Sequence, residues 1–265
     1  MKLYQIDSFT KAKFKGNPAG VCILEERLNK DQMQAIASEM NLSETAFIEK
    51  KGERYGLRWF TPASEVPLCG HATLASAFVL FNEGFHSKNE SIFFDTLSGE
   101  LMVNINSEGA LSMDFPGKVP VAYTGNHLDL IRQEFGESIQ EILEVPNELI
   151  VILESSEAVK NADPSSDVIA KLSKYGVMIS GWDHSGQYDF VSRYFGPNLG
   201  IKEDPVTGFI HTILSPYWAK MKDQQSFKCY QASERGGELS TEVKGNRVIL
   251  NGNAVKIFET DLSLD

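Results

Sequence analysis

The sequence is poor in cysteine. Its three, Cys22, Cys69 and Cys229, are too few and too scattered for a disulfide framework or a CxxC metal site, and free thiols are expected. Basic charge is also short, with 25 Lys and Arg against 36 Asp and Glu and a net charge of −11. A phosphate backbone is met by Lys/Arg patches, so nucleic acid is not an expected partner. No apolar run approaches the roughly 20 residues of a membrane span. The opening Met1-Lys2-Leu3-Tyr4-Gln5-Ile6-Asp7 lacks the basic and long apolar regions of a signal peptide, so no membrane association and a cytoplasmic location are expected. His86, His127, His184 and His211 have no ligand-like spacing with each other or with the cysteines, which predicts no metal. Neither GxGxxG nor a P-loop occurs, so any chemistry is expected to need no cofactor. Hydrophobic residues make up 42% of the 265, ample for one or two cores.

What the chain does have is a repeat. Glu65-Val66-Pro67-Leu68-Cys69-Gly70 returns 138 residues later as Glu203-Asp204-Pro205-Val206-Thr207-Gly208, and both read Glu-x-Pro-aliphatic-x-Gly. Upstream, Arg58-Trp59-Phe60-Thr61-Pro62 is answered by Arg193-Tyr194-Phe195-Gly196-Pro197, and downstream Gly99-Glu100-Leu101 by Gly237-Glu238-Leu239. Two copies of about 130 residues indicate a duplicated domain, since solenoid units run only about 20 to 50. Each copy leads into an apolar segment at helical spacing, Leu74, Ala75, Phe78 and Val79 in the first and Ile213, Leu214 and Trp218 in the second.

The pattern predicts an α+β fold of two pseudo-symmetric halves, each a curled, mostly antiparallel sheet around one central helix. Strands are expected over 3–7, 20–25, 55–60, 91–95, 101–105, 110–115, 149–153 and 176–180, with strand-like character over 227–258. Helices are expected over 29–40, capped by Asn29, and over 71–84, 128–134, 166–173 and 209–222. Proline, glycine and small residues over 116–124 place the boundary there, giving halves of 1–118 and 119–265. If each repeated turn opens a helix, the two N-termini offer N–H groups to an anion in a cleft between the halves, which suits a carboxylate. Taken alone, either turn is better read as a plain helix start, with Pro and Gly supplying the turn geometry. Glu65 and Glu203, being duplicated, are expected to form equivalent ion pairs with Arg58 and Arg193.

The titratable groups around the turns are Glu44, Glu65, His71, Glu203 and Asp204. In two-base racemases on duplicated folds, both residues just before the loop glycine are cysteines, but here they are Cys69 and Thr207. A threonine is no acid–base group near neutral pH, which disfavours that pair.

The chain resembles the phenazine-biosynthesis PhzF family, which has the diaminopimelate epimerase-like fold. The resemblance rests on FKGNPAGV at 14–21, NLSETAF at 41–47, RWFTPASEVPLCGHAT at 58–73, DFVSRYFGP at 189–197, EDPVTGFIHTILSPYW at 203–218 and SERGGEL at 233–239. It implies that Glu44 is the acid–base residue, moving a proton between carbons of a small cyclic or unsaturated carboxylic acid. A carboxyl shielded from water has its pKa raised, which lets one group take and return a proton. The resemblance further makes His71 and Asp204 supporting groups, Gly70 and Gly208 donors of loop N–H bonds, and Asn17, Ser43 and Phe209 substrate-binding positions. It also implies a homodimer. The chain departs from the family at Phe209-Ile210, where Ser-Ala is usual, so a different substrate, a smaller pocket or lost activity follow as alternatives. Two other functions stand beside the isomerase: a small-acid binder without turnover, and a racemase or epimerase led by Cys69.

Overall fold

A computed structural model describes residues 1–263, which form two compact units. The first contains β1 (Lys2–Ser8), β2 (Asn17–Leu24), α1 (Lys30–Met40), β3 (Glu44–Lys51), β4 (Arg54–Phe60), β5 (Glu65–Val66), α2 (Gly70–Asn82), β6 (Ile92–Thr96), β7 (Gly99–Ile105) and β8 (Leu111–Pro116). Its sheet runs β1, β2, β3, β4, β6, β7, β8, with parallel neighbours at β2–β3 and β4–β6 and antiparallel pairs elsewhere. Each parallel pair needs a crossover, and α1 and α2 supply them. The start of α1 is a reciprocal capping box between Asn29 and Gln32, and Asn41 ends it in the left-handed conformation. Its apolar face, Met33, Ile36 and Ala37, packs on Leu3, Cys22, Phe47 and Phe60. By contrast α2 is apolar all round and buried all round, from Ala72 to Phe81 with only Phe78 partly exposed.

The second unit repeats this plan with β9 (Val121–Ala122), α3 (Leu128–Phe135), β10 (Ile139–Val145), β11 (Glu148–Leu153), α4 (Ser156–Asn161), α5 (Ser166–Leu172), β12 (Gly176–Trp182), β13 (Phe190–Phe195), α6 (Gly208–Lys222), β14 (Ser226–Gln231), β15 (Gly237–Lys244) and β16 (Arg247–Gly252). The series β10 to β15 is antiparallel, parallel, antiparallel, parallel, antiparallel, matching β1, β2, β3, β4, β6 and β7. Here α4 and α5 replace α1 as the first crossover, and α6 replaces α2 as the buried helix. Ile210, Ile213, Leu214 and Trp218 of α6 are buried, and a separate cluster around Ile131, Val151, Ile169, Val177 and Phe195 packs α3 and α5 on the sheet.

The α+β duplication expected from the repeat is therefore present, but its division is not contiguous. The units are Met1–Asp114 with the chain from Leu250 onward, and Phe115–Ile249, whereas the sequence pattern suggested 1–118 and 119–265. The last strand, β17 (Ala254–Asp261), pairs antiparallel with β1 from Lys2 opposite Asp261 to Ser8 opposite Ala254. A pairing between the two ends of a chain leaves no local pattern, so composition alone put that strand in the wrong half.

Three buried groups set how stability depends on pH. Glu148 lies opposite Gly176, receives the Tyr194 hydroxyl at 3.2 and 3.1 Å, and is pushed up by burial from 4.5 to about 7. Its folded pKa is raised, so its stabilising contribution is full below 4.5 and lost as pH rises through about 7. Burial lowers His71 to about 3 and His211 to about 4, so their contributions are full above 6.5 and lost as pH falls towards those values. Glu148→Gln should therefore remove a loss on the alkaline side. Urea midpoints measured at about pH 5 and pH 8 should show the variant gaining on the wild type at the higher pH; an unchanged difference would refute the assignment.

Candidate active site

In the first unit, four elements bring their ends to one place. Ser8 ends β1, Asn17 opens β2, Glu44 opens β3, and His71 lies in the first turn of α2. Register explains why: Ser8 pairs with Asn17, and Ala19, two residues into β2, pairs with Glu44. The Ser8 hydroxyl donates to the His71 carbonyl at 2.8 Å, and the Thr73 hydroxyl donates to the Cys69 carbonyl at 2.5 Å, so the entry into α2 is held from both sides.

His71 and Glu44 meet here. Nε2 of His71 lies 3.2 Å from Oε2 of Glu44, although off the direction of a formed hydrogen bond, so Nε2 has no aligned partner. The contact is not ionic on the histidine side, because burial holds the imidazole neutral down to about 3. The neighbours set its tautomer. Ser43 Oγ donates to Oδ1 of Asn17 at 3.2 Å, which turns the amide so that Nδ2 faces Nδ1 of His71 at 3.3 Å. An amide N–H pointing at Nδ1 makes that nitrogen the acceptor and leaves the proton on Nε2, towards Glu44. Asn17 is fully buried, so this alignment is not shared with solvent. Replacing it by the near-isosteric aspartate reverses the polarity: Asn17→Asp should move the proton to Nδ1, read directly in the ¹⁵N spectrum of the labelled imidazole. The cost in proton exchange should be about tenfold, the worth of roughly one hydrogen bond. An unchanged tautomer would refute this role.

Cys69 Sγ is 3.4 Å from Nδ1 of the same ring. Glu44, Cys69 and His71 thus bring a carboxylate oxygen, a thiol and an imidazole nitrogen within 4.8 Å of one another, a donor set that zinc accepts. The thiol meets Nδ1 of the ring and the carboxylate Nε2, opposite nitrogens of one imidazole. Gly70 adds space: a Cβ there would meet nothing within 4 Å, and no side chain caps the start of α2.

The repeated turn in the second unit is built differently. Asp204 is nearly buried, its N–H donates to the Tyr194 carbonyl at 3.0 Å, and its carboxylate receives the Thr207 hydroxyl. Gln231, fully buried, pins the turn by donating to the Asp204 carbonyl at 2.8 Å and accepting from the Thr207 N–H at 2.7 Å. Sequence reasoning missed Gln231; a buried-strand amide at the end of Ser226–Gln231 was the available signal. His211 donates through Nδ1 to the Thr207 carbonyl at 2.9 Å, the bond that Thr73 makes in the first unit, while Nε2 faces Ser192 at 3.4 Å. Gly208 and Phe209 open α6, again without a side-chain cap, and Lys118 lies over the Phe209 ring at 4.8 Å. The two expected ion pairs are both present and bidentate: Arg58–Glu65 at 2.7 and 3.0 Å, Arg193–Glu203 at 2.7 and 2.9 Å. They tie each loop to its preceding strand, a structural role.

Aligning the units by register shows what was not duplicated. Thr45 faces Phe60 as Val177 faces Phe195, so Glu44 corresponds to Gly176. By the turn, His71 corresponds to Phe209, and Asp204 to Val66. The acid–base pair exists once.

A duplicated fold of this kind, with one carboxylate–imidazole pair at the mouth of the first buried helix, defines an isomerase-type protein. The chain belongs to the PhzF family: the model described as PhzC-PhzF, phenazine biosynthesis-like protein, matches residues 6–260. It is 43% identical over 257 residues to an uncharacterized isomerase of Pseudomonas aeruginosa, covering 97% of this chain and 96% of that one. The crystal structure of a PhzF-family phenazine biosynthesis protein from Enterococcus faecalis superposes with a TM-score of 0.93 at 42% identity over 99% of both chains. A probable proline racemase from Agrobacterium radiobacter shares the fold alone, with a TM-score of 0.63 at 10% identity over 100% of this chain and 93% of that one.

Proposed function

We propose that the protein is a cofactor-independent isomerase that moves a proton between carbons of a small cyclic or unsaturated carboxylic acid. Glu44 abstracts the proton from one carbon and returns it to another. His71, neutral and carrying its proton on Nε2 beside Glu44, donates to the oxygen of an enolate as charge develops. N–H groups at Gly70 receive the substrate carboxylate, with Asn17 and Ser43 holding His71 in place. Phe209 presents a ring where the family usually has serine, so the acid bound here is expected to differ from the phenazine precursor.

The observation that carries this reading is the single acid–base pair in a duplicated fold. Racemisation by two bases requires one group on each face of the carbon, and the positions equivalent to Glu44 and His71 are Gly176 and Phe209. A shift that removes and returns the proton on one face needs only one. The test is solvent exchange: in deuterated water, the protein should place deuterium at carbon in a member of a panel of small cyclic and unsaturated carboxylic acids. Binding of such an acid with no incorporation would instead support the second reading, a binder in which Phe209 has closed the reaction off.

A further inference from the structure

The loop joining β1 to β2, Phe9 to Gly16, carries Lys11, Lys13 and Lys15 in five residues of a chain whose net charge is −11. Some other lysines sit against acids, among them Lys30 on Glu65, Lys51 on Glu49, Lys160 on Glu157, Lys244 on Glu242 and Lys256 on Glu83. Among the described residues no ion pair engages Lys11 or Lys13, and both are exposed. The loop is nonetheless firmly held. Ala12 N–H donates to the Thr10 hydroxyl at 3.0 Å, and Phe14 N–H donates at 2.8 Å to the buried carboxylate of Asp7.

Its backbone is strained where it turns. Phe9 and Phe14 have φ of 60° and 67°, a region that bulky residues rarely occupy and that clusters at functional sites. Gly16, at φ 67°, closes the loop so tightly that a Cβ would lie 2.1 Å from the Ser8 carbonyl oxygen. The two residues that bracket the loop, Ser8 and Asn17, are the ones that bond His71. A strained, ordered, cationic loop therefore rises from the base of the proton-transfer pair, with Phe14 70% exposed between its lysines.

We infer that this loop is a substrate-selecting arm: Lys11 and Lys13 receive a second anionic group of the acid whose reacting carbon lies at Glu44, and Phe14 covers its unsaturated part. The substrate class is accordingly a dianionic small acid, its first carboxylate held at the start of α2. The inference rests on the Glu44–His71 reading, and the experiment separates the two. Dissociation constants are measured by titration calorimetry for two matched pairs, crotonate with glutaconate and benzoate with isophthalate, on the wild type, Lys11→Gln/Lys13→Gln and Glu44→Gln.

On the wild type, at least one dianion should bind about tenfold more tightly than its monoanionic partner, a preference that weakens with salt. The lysine variant should lose that preference while keeping its affinity for the monoanion, and Glu44→Gln should keep the preference. Equal affinity within both pairs, an undiminished preference in the lysine variant, or no binding of any of the four acids overturns the arm. The exchange assay decides the proton-transfer reading by itself: incorporation with an unaltered lysine variant sinks the arm alone, and a lysine-dependent preference without incorporation sinks the isomerase alone.

Discussion

Glu44→Gln is expected to abolish deuterium incorporation at carbon, by roughly 10²- to 10⁴-fold, the usual contribution of a positioned acid–base group. The substitution keeps the size and the hydrogen-bonding shape of the side chain but removes the group that takes the proton. Glu44 opens β3, and its backbone pairing with Ala19 does not involve the carboxyl, so the variant should unfold at the same urea midpoint as the wild type. The acid that exchanges with the wild type should still bind. Exchange that survives in the variant would move the base to Cys69, whose sulfur lies on the other edge of the same imidazole. Cys69→Ser would then be the damaging change, and the racemase-like alternative would regain its footing.

Arg193→Ala is the substitution expected to cost most in stability. Its side chain is 12% exposed and that of Glu203 18%, and beyond the bidentate pair it donates to the carbonyls of Val159 and Ala162 at the end of α4. Removing it strands a nearly buried carboxylate and two carbonyls at once, which in comparable sites costs about 3–5 kcal/mol. The duplicated position provides the control. Arg58 is 35% exposed, and although its partner Glu65 is only 9% exposed, Lys30 lies 3.2 Å from that carboxylate, so Arg58→Ala leaves it a cation and should cost less, about 1–2 kcal/mol. Urea midpoints of the two variants would test this; equal losses would show that Lys30 does not stand in for Arg58.

How much of this was legible beforehand follows from how local each feature is. The two buried helices, their opening turns and both ion pairs were visible because Glu-x-Pro-x-x-Gly and the preceding arginines are contiguous in the chain. The cap at Asn29 was visible for the same reason. Strand β10 and helix α4 were missed: Ile139–Val145 has a weak alternation broken by a register shift, and α4 is only a turn and a half after its Ser155 cap. The site itself was legible as types of residue but not as an arrangement. Glu44, His71 and Asp204 could be named from the resemblance, whereas the line from Ser43 through Asn17 to His71 depends on register among three strands. The correspondence of Glu44 with Gly176 was hidden because the loops between it and the turn differ in length between the copies, so the offset that aligns the turns does not align the strands.

The placement of β17 has a consequence for how such a chain is made. The first unit begins at the amino terminus but is completed only by the last strand, so the whole second unit must leave the ribosome before β1 gains its outer neighbour. Until then β1 is an open sheet edge, the kind of surface that recruits other chains. A fragment cut at the boundary that composition suggests would carry Glu44 and His71 on a sheet one strand short.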